Sequence, residues 1–575
     1  MTRANSGRGR VWLGVALWAA LGAAQAAAAE DPTAKAVDAI LATYDRKDAP
    51  AVSVSVYRDG AMIYSRALGM ANLEYGQPAT AQTVFDVASV SKEFTAYAIA
   101  LLERDGKVDA GADIHRYLPE LPDYGHPLTV ADLIHHTGGL RDTNILLDLA
   151  QRDSSARLTQ AQMVRLIARQ TSLRYVPGAE FSYSNTDYIL LAEIVRRVSG
   201  QSLRAFTEAR IFRPLGMTHT YFRDDVTAVV PGAASPYAPT IGAGWRRWIY
   251  NVEYLGSTGL ETTSEDLLKW IGYLDRPPQG DESLVAKITA PAKLSTGAPV
   301  NYGYGLWRQR YAGRDAISHT GAIAGYRALI VWLPKEHFGL AVTSNMPIDV
   351  GTPAERIIDA YLGKPPADPA DAAAKHKEDA APITPDAEVL KGLAGRYVPE
   401  GIWSVDLVAA DGKLYWASST QPKTPVTLRE RDLFTRGQGD GMRWFRFVRD
   451  PKGAVIGFEA LTDVGGQSLG GLFRRAPVYA APPQALTELE GDYYSREVDA
   501  TYTFTVKDGR LVARSLWSNN EAHLYPVMRD RFDTDVIGLG VLQVERDRAH
   551  RVIGLRIVGG GLSGMRLVRT AGAGR

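Results

Sequence analysis

The strongest constraint on this chain is that its C-terminal part is written twice. Leu393-Ala394-Gly395-Arg396-Tyr397 returns about 96 residues later as Leu489-Glu490-Gly491-Asp492-Tyr493. Asp411-Gly412-Lys413-Leu414 returns as Asp508-Gly509-Arg510-Leu511, and Arg449-Asp450 with Val455-Ile456-Gly457-Phe458 returns as Arg546-Asp547 with Val552-Ile553-Gly554-Leu555. Between these landmarks run short alternating strands with glycine-bearing turns, so each copy reads as a small all-β module of about 90 residues. Closure into a barrel removes the exposed edges a flat sheet would present, which favours barrels over the rival β-sandwich. The modules are expected at 387–476 and 485–572, separated at Pro477, Pro482 and Pro483, where no strand can continue.

The preceding segment has a different character. Asp31 and Pro32 open a helix carrying Val37, Ile40, Leu41 and Tyr44, and a hairpin follows, from Val52-Ser53-Val54-Ser55-Val56 through Asp59-Gly60 to Met62–Leu68. From Val84 to Trp307 the pattern is mainly helical. Ala328–Trp332 and Gly339–Val342 then read as adjacent strands across a Pro334-Lys335 turn, and Pro353–Leu362 as a closing helix. Strands at both ends of a helical middle imply one antiparallel sheet and an α+β domain over 30–364. Residues 365–386, rich in Pro, Ala, Asp and Lys, form a linker.

Residues 1–29 read as a secretory signal: Arg3, Arg8 and Arg10 precede the apolar run Val11–Ala24, and Ala24-Gln25-Ala26 suits cleavage. The expected destination is the periplasm or the medium, with no stable membrane insertion after cleavage. The 575 residues include no cysteine, which excludes disulfides and thiolate metal sites, and a formal charge of +1 gives no pull toward nucleic acid.

Three elements carry chemistry. In Ser89-Val90-Ser91-Lys92, at the head of a strong helix, residues three apart share a face, so the Lys92 amine can activate the Ser89 hydroxyl. In Tyr183-Ser184-Asn185, on a turn before the next apolar helix, Tyr183 can relay a proton and the Asn185 amide can hold Lys92 and a substrate carbonyl. His-Thr-Gly occurs twice. His136-Thr137-Gly138 ends a helix over Val130–His135 and reads as structural, and adjacent His135 and His136 diverge too far to share a metal. His319-Thr320-Gly321 lies in strand-like sequence, where Gly321 lets a ligand approach the backbone and His319 can orient a substrate carboxylate or tune Tyr183.

In this order the three elements resemble the penicillin-recognising serine hydrolases: class C β-lactamases, DD-carboxypeptidases, esterases and D-aminopeptidases. Leu128–Leu140, Pro214-Leu215-Gly216-Met217 and Gly256–Leu267 add to the likeness, which covers residues 40 to 360. It implies an antiparallel sheet flanked by helices with an all-helical lobe, followed by lipocalin-like barrels. It also implies an acyl-enzyme on Ser89, proton transfer by Lys92 and Tyr183, and substrate binding by Asn185, His319, Thr320, Gly321 and Ala322. Backbone N–H groups of Ser89 and Ala322 would form the oxyanion hole. No metal or other cofactor is implied.

The family usually has Lys at the position of His319 in class C β-lactamases, and the two appended modules resemble the D-aminopeptidase architecture. The expected substrate is therefore a small peptide, amide or ester, foremost a D-amino-acid-containing peptide. Alternatives are a DD-carboxypeptidase or class C-like β-lactamase, a short-chain esterase, and an acylated sensor whose barrels hold an apolar ligand. An aminopeptidase needs a carboxylate for the substrate ammonium, for which Glu497 and Asp499 are candidates, whereas Arg327 would instead suit a carboxypeptidase. Trp245-Arg246-Arg247-Trp248-Ile249-Tyr250 is a candidate cleft rim.

Overall fold

The computed structural model of the protein describes residues 31–150, 155–240, 242, 244–365, 382–399, 403–418, 421–437, 443–461, 472–515, 521–536 and 539–570. The signal at 1–29 and most of the 365–386 linker lie outside the described residues.

Helix α1 (Pro32–Leu41) is capped by Asp31, whose carboxylate accepts from the Thr33 N–H, and Pro32 takes a first-turn position where its missing donor costs nothing. Strands β1 (Val52–Arg58) and β2 (Ala61–Leu68) turn at Asp59 and Gly60, with φ of 52° and 93°, the hand that matches strand twist. β1 pairs antiparallel with Phe338–Ser344, Val52 opposite Ser344, so the two ends of the domain meet in one six-stranded sheet. The sheet continues through Tyr326–Leu333 and Arg314–Ile323 to an edge at Trp307–Tyr311.

The Val-Ser alternation of β1 has a clear cause, because the strand is covered on both faces. Val52, Val54 and Val56 join Val37 and Leu41 of α1 and Ile357 and Ile358 of the Gly351–Leu362 helix in one apolar cluster. Ser53 and Ser55 point the other way, and their hydroxyls lie 2.9 and 2.8 Å from that of Ser264, at the head of the Ser264–Asp275 helix. A buried hydroxyl needs such a partner.

On that second face sits the helical lobe. Its central helix α2 (Ser91–Arg104) is buried from Ser91 through Leu102, as expected of a helix apolar on every side, and packs against the Asn185–Ser199 helix. Helix α3 (Val130–Ile134) starts on a reciprocal Thr129–Asp132 capping box and ends one residue before His135. Helix α4 (Thr143–Leu149) is capped by Asp142.

Residues 395–476 and 491–569 each close into an eight-stranded antiparallel barrel. The repeat is structural in detail. Tyr397 donates its hydroxyl to the Leu393 carbonyl and Tyr493 to that of Leu489, at 2.7 and 3.0 Å. Arg449 binds Asp432 as Arg546 binds Asp530. Each copy is also preceded by a short helix that the strand reading missed, Ala387–Leu393 and Pro483–Thr487. The first barrel is filled by its own rings, including Trp416, Phe434, Phe445 and Phe458, which an apolar ligand would have to displace.

The barrels are joined by Ser404, whose N–H donates to Asp533 at 2.7 Å, and by Trp403, whose indole donates to the Thr534 carbonyl at 3.0 Å. The second barrel shares one unbroken buried apolar cluster with the helical lobe, from Phe94 and Leu146 to Tyr502 and Leu562. It is thus packed onto the α+β domain as one core packs within itself.

Candidate active site

The site forms where the N-terminus of α2, the turn before Asn185–Ser199 and the edge of Arg314–Ile323 converge. Ser89 stands in a single 3-10 turn, Ala88–Val90, directly before α2. Its neighbour Ala88 is held at φ 49°, a conformation an alanine adopts only under constraint. Asp86 supplies part of that constraint by accepting the Ala88 N–H at 2.7 Å. Ser91 plays no part in the nucleophile; its hydroxyl accepts from the Leu260 N–H.

Lys92 is wholly buried, and its amine touches three oxygens: Ser89 Oγ at 3.1 Å, Asn185 Oδ1 at 2.9 Å and the Ser257 carbonyl at 2.9 Å. Burial lowers its pKa to about 7, against the opposing pull of Asp142 and Asp187. A neutral amine has two N–H groups and one lone pair. The amide oxygen and the carbonyl can only accept, so they take the two hydrogens, and the lone pair is left facing the Ser89 hydroxyl. That is the arrangement of a base.

Tyr183 lies with its ring 4.8 Å from the Lys92 amine and its hydroxyl against Ser89. Burial pushes the phenol well above its ordinary pKa, and the Ser89 contact draws it back. Tyr183 therefore holds its proton at neutral pH and can pass one only as it receives another.

Asn185 is fixed at both ends. Its Oδ1 accepts from Lys92, while its Nδ2 and backbone N–H both donate to Asp142 Oδ2, at 3.0 and 2.5 Å. Asp142 has no motif signature beyond a helix cap, yet it sets which way the Asn185 amide faces.

His319 is 2% exposed, with Nε2 3.0 Å from the Tyr302 hydroxyl and Nδ1 2.6 Å from the Thr320 carbonyl. Its ring stands 6.0 Å from that of Tyr183. Burial, then the charge of Lys92, lowers its pKa to about 3, so it is neutral. This geometry suits tuning of Tyr183 and leaves no route to a substrate carboxylate. Thr320 is exposed and Gly321 buried. A Cβ on Gly321 would come within 2.1 Å of the Val87 carbonyl, so the glycine admits the backbone that carries Ser89, where the sequence suggested room for a ligand.

His136, read from sequence as structural, packs directly behind the site. Its ring lies 4.5 Å from that of Tyr183, and its Nδ1 is 2.7 Å from Asp187. Burial drives His136 down and Asp187 up, toward the neutral forms. His135 turns away to the Tyr302 carbonyl, so the two histidines do diverge.

Ser89, Asn185 and Ala322 open onto a cavity of about 330 Å³ whose walls include Leu147, Trp248, Tyr254 and Ile323. Trp248 and Tyr250 thus do form part of its rim, whereas Trp245–Arg247 pairs as a strand with Tyr237–Pro239. Arg327 is turned to the carbonyls of Ala324 and Tyr326. Glu497 is buried against Arg141, and Asp499 lies 3.4 Å from Arg169, so neither candidate carboxylate faces the cavity. Among the described residues no group of three or more His, Asp or Glu side chains could hold a metal ion, and no helix is long and apolar enough to cross a membrane.

A D-aminopeptidase of Gluconobacter oxydans is 28% identical over 327 residues, covering 57% of this chain and 62% of that protein. A D-aminopeptidase of Brucella canis is 29% identical over 321 residues, covering 56% and 61%. The matched region is thus about three-fifths of the length of these relatives. In fold, the octameric penicillin-binding protein homologue from Pyrococcus abyssi superposes with a TM-score of 0.53 at 20% identity, covering 85% of this chain and 98% of that one. The family described as Beta-lactamase matches residues 34–362, more than half of the sequence and nearly all of the domain that holds Ser89, Lys92, Tyr183 and Asn185, and the chain belongs to that family.

Proposed function

We propose that the protein is a serine hydrolase that forms an acyl-enzyme on Ser89 and acts on small D-amino-acid-containing peptides or amides. The observation that carries this reading is the contact of the buried Lys92 amine with Ser89, Asn185 and Ser257, which leaves its lone pair only the serine hydroxyl to face. Ser89 Oγ attacks the substrate carbonyl carbon as its proton passes to Lys92. Backbone N–H groups of Ser89 and Ala322, both on the cavity wall, steady the oxyanion. Lys92, with Tyr183 as relay, returns the proton to the leaving nitrogen as the C–N bond breaks, and water then releases the acid by the same path in reverse.

Two things support the substrate class. The relatives named above are D-aminopeptidases, and the cavity is small and closed on one side by α4, which the second barrel holds in place. The test is a panel of D- and L-alanyl anilides, an acyl-D-Ala-D-Ala peptide, a chromogenic cephalosporin and a short-chain ester, with intact-mass detection of the adduct. The expected result is faster turnover of the D-alanyl anilide and a Ser89 adduct that Ser89→Ala abolishes. Equal rates on both alanyl enantiomers would remove the D-specific class, and full activity in Ser89→Ala would remove the mechanism. The reading includes export and loss of residues 1–29, which N-terminal sequencing of the mature protein checks.

A further inference from the structure

Helix α4 has two working faces. On one, Ile145 lies against Gly561 of the second barrel, and the Leu149 carbonyl accepts the Tyr502 hydroxyl at 2.6 Å. On the other, Asn144, Leu147 and Asp148, at helical spacings of three and four, form part of the wall of the cavity that holds Ser89. Asp148 is the only charged side chain on that wall among the described residues. The wall around it mixes apolar and aromatic side chains with the polar groups of Ser89, Asn144, Asn185, Ser257 and Thr258. Asp148 is exposed, and among the described residues its carboxylate has neither an ion pair nor a hydrogen bond. Partial desolvation at the cavity wall, then the charge of Asp142, raises its pKa.

A substrate ammonium is the missing cation. In an aminoacyl amide the α-nitrogen is two bonds from the carbonyl carbon that Ser89 attacks, so one small cavity must receive both. We infer that Asp148 binds the α-ammonium of the substrate, with the substrate side chain against Trp248, Tyr254 and Ile323, and so selects aminoacyl amides with a free amine and an apolar side chain. The inference rests on the hydrolase reading given above.

The experiment compares D-leucyl p-nitroanilide with 4-methylpentanoyl p-nitroanilide, which lacks only the amine, in the full-length wild type, Asp148→Asn and Asp148→Glu. The readout is the ratio of kcat/KM for the two compounds, which cancels any general loss of folded enzyme. The wild type should favour the amine, Asp148→Asn should lower the ratio about 10–100-fold, the scale of a lost charge-assisted contact, and Asp148→Glu should keep most of it. An unchanged ratio in Asp148→Asn overturns the assignment and leaves the hydrolase reading standing. A wild type that cleaves only the compound without the amine, or acylates Ser89 with neither, overturns the assignment together with the aminopeptidase reading beneath it.

Discussion

The guanidinium of Arg141 and the carboxylate of Glu497 meet 3.1 Å apart at the seam between the catalytic domain and the second barrel, with 0% and 8% of their side chains exposed. Arg141 also donates to the Ser563 carbonyl at 2.9 Å and to that of Ser172 at 2.6 Å. The next residue, Asp142, orients Asn185. A barrel with none of the three catalytic-type motifs is thereby connected to the site through two consecutive residues.

Glu497→Ala leaves the Arg141 charge buried and unpaired, which is expected to destabilise the protein by about 3–5 kcal/mol. The double variant Arg141→Met, Glu497→Leu should recover most of that loss. Urea melts of the full-length single and double variants measure both, and equal stability of wild type and Glu497→Ala would show that the pair does not hold the seam.

Asp142→Asn can keep the helix cap for α4 with its one oxygen, but it then turns an NH2 group toward the two Asn185 donors that Oδ2 accepted. Its kcat should drop about tenfold or more with little change in Tm, whereas Asp142→Ala should lose activity and about 1 kcal/mol as well. Paired kinetics and thermal melts separate the two effects.

Lys92 can accept the Ser89 proton only when neutral. With its pKa at about 7, kcat/KM should fall about tenfold per pH unit below that point and level off above it. Stability carries the same sign for this group: between about 7 and the ordinary 10.5 the unfolded chain binds a proton that the folded one does not, so its destabilising contribution shrinks as pH rises through that window. A pH–rate profile that is flat from pH 5 to 8 would show that another group is the base.

Gly321→Ala places a methyl 2.1 Å from the Val87 carbonyl, a backbone atom that cannot swing aside. The expected result is a stability loss of about 1–3 kcal/mol with a fall in activity of about a hundredfold, as the turn carrying Ser89 is pushed out of position. Burst-phase acylation by an activated ester reads the nucleophile directly.

What could be read in advance was what the chain states locally. Ser89 and Lys92 are three residues apart, β1 and β2 are joined by a two-residue turn, and the repeated Leu-x-Gly-x-Tyr segments make the same tyrosine bond in both barrels. What could not be read was set by distant packing. Asp142 reaches Asn185 across 43 residues, and Glu497 reaches Arg141 across 356. Both look like ordinary surface acids in sequence. His319 carries a motif, but the motif is silent on Tyr302, which closes over it.

The contact of Tyr502 with Leu149 spans 353 residues, and that of Arg141 with Ser563 spans 422. A ribosome adding about 5–20 residues per second needs roughly 20–80 s to cover such a gap. For that interval the nascent chain can hold Ser89 and Lys92 together while α4, the wall that closes their cavity, still lacks its clamp. A module made later finishes one made earlier, and Ser89 comes into its completed chamber only after the second barrel has been synthesised.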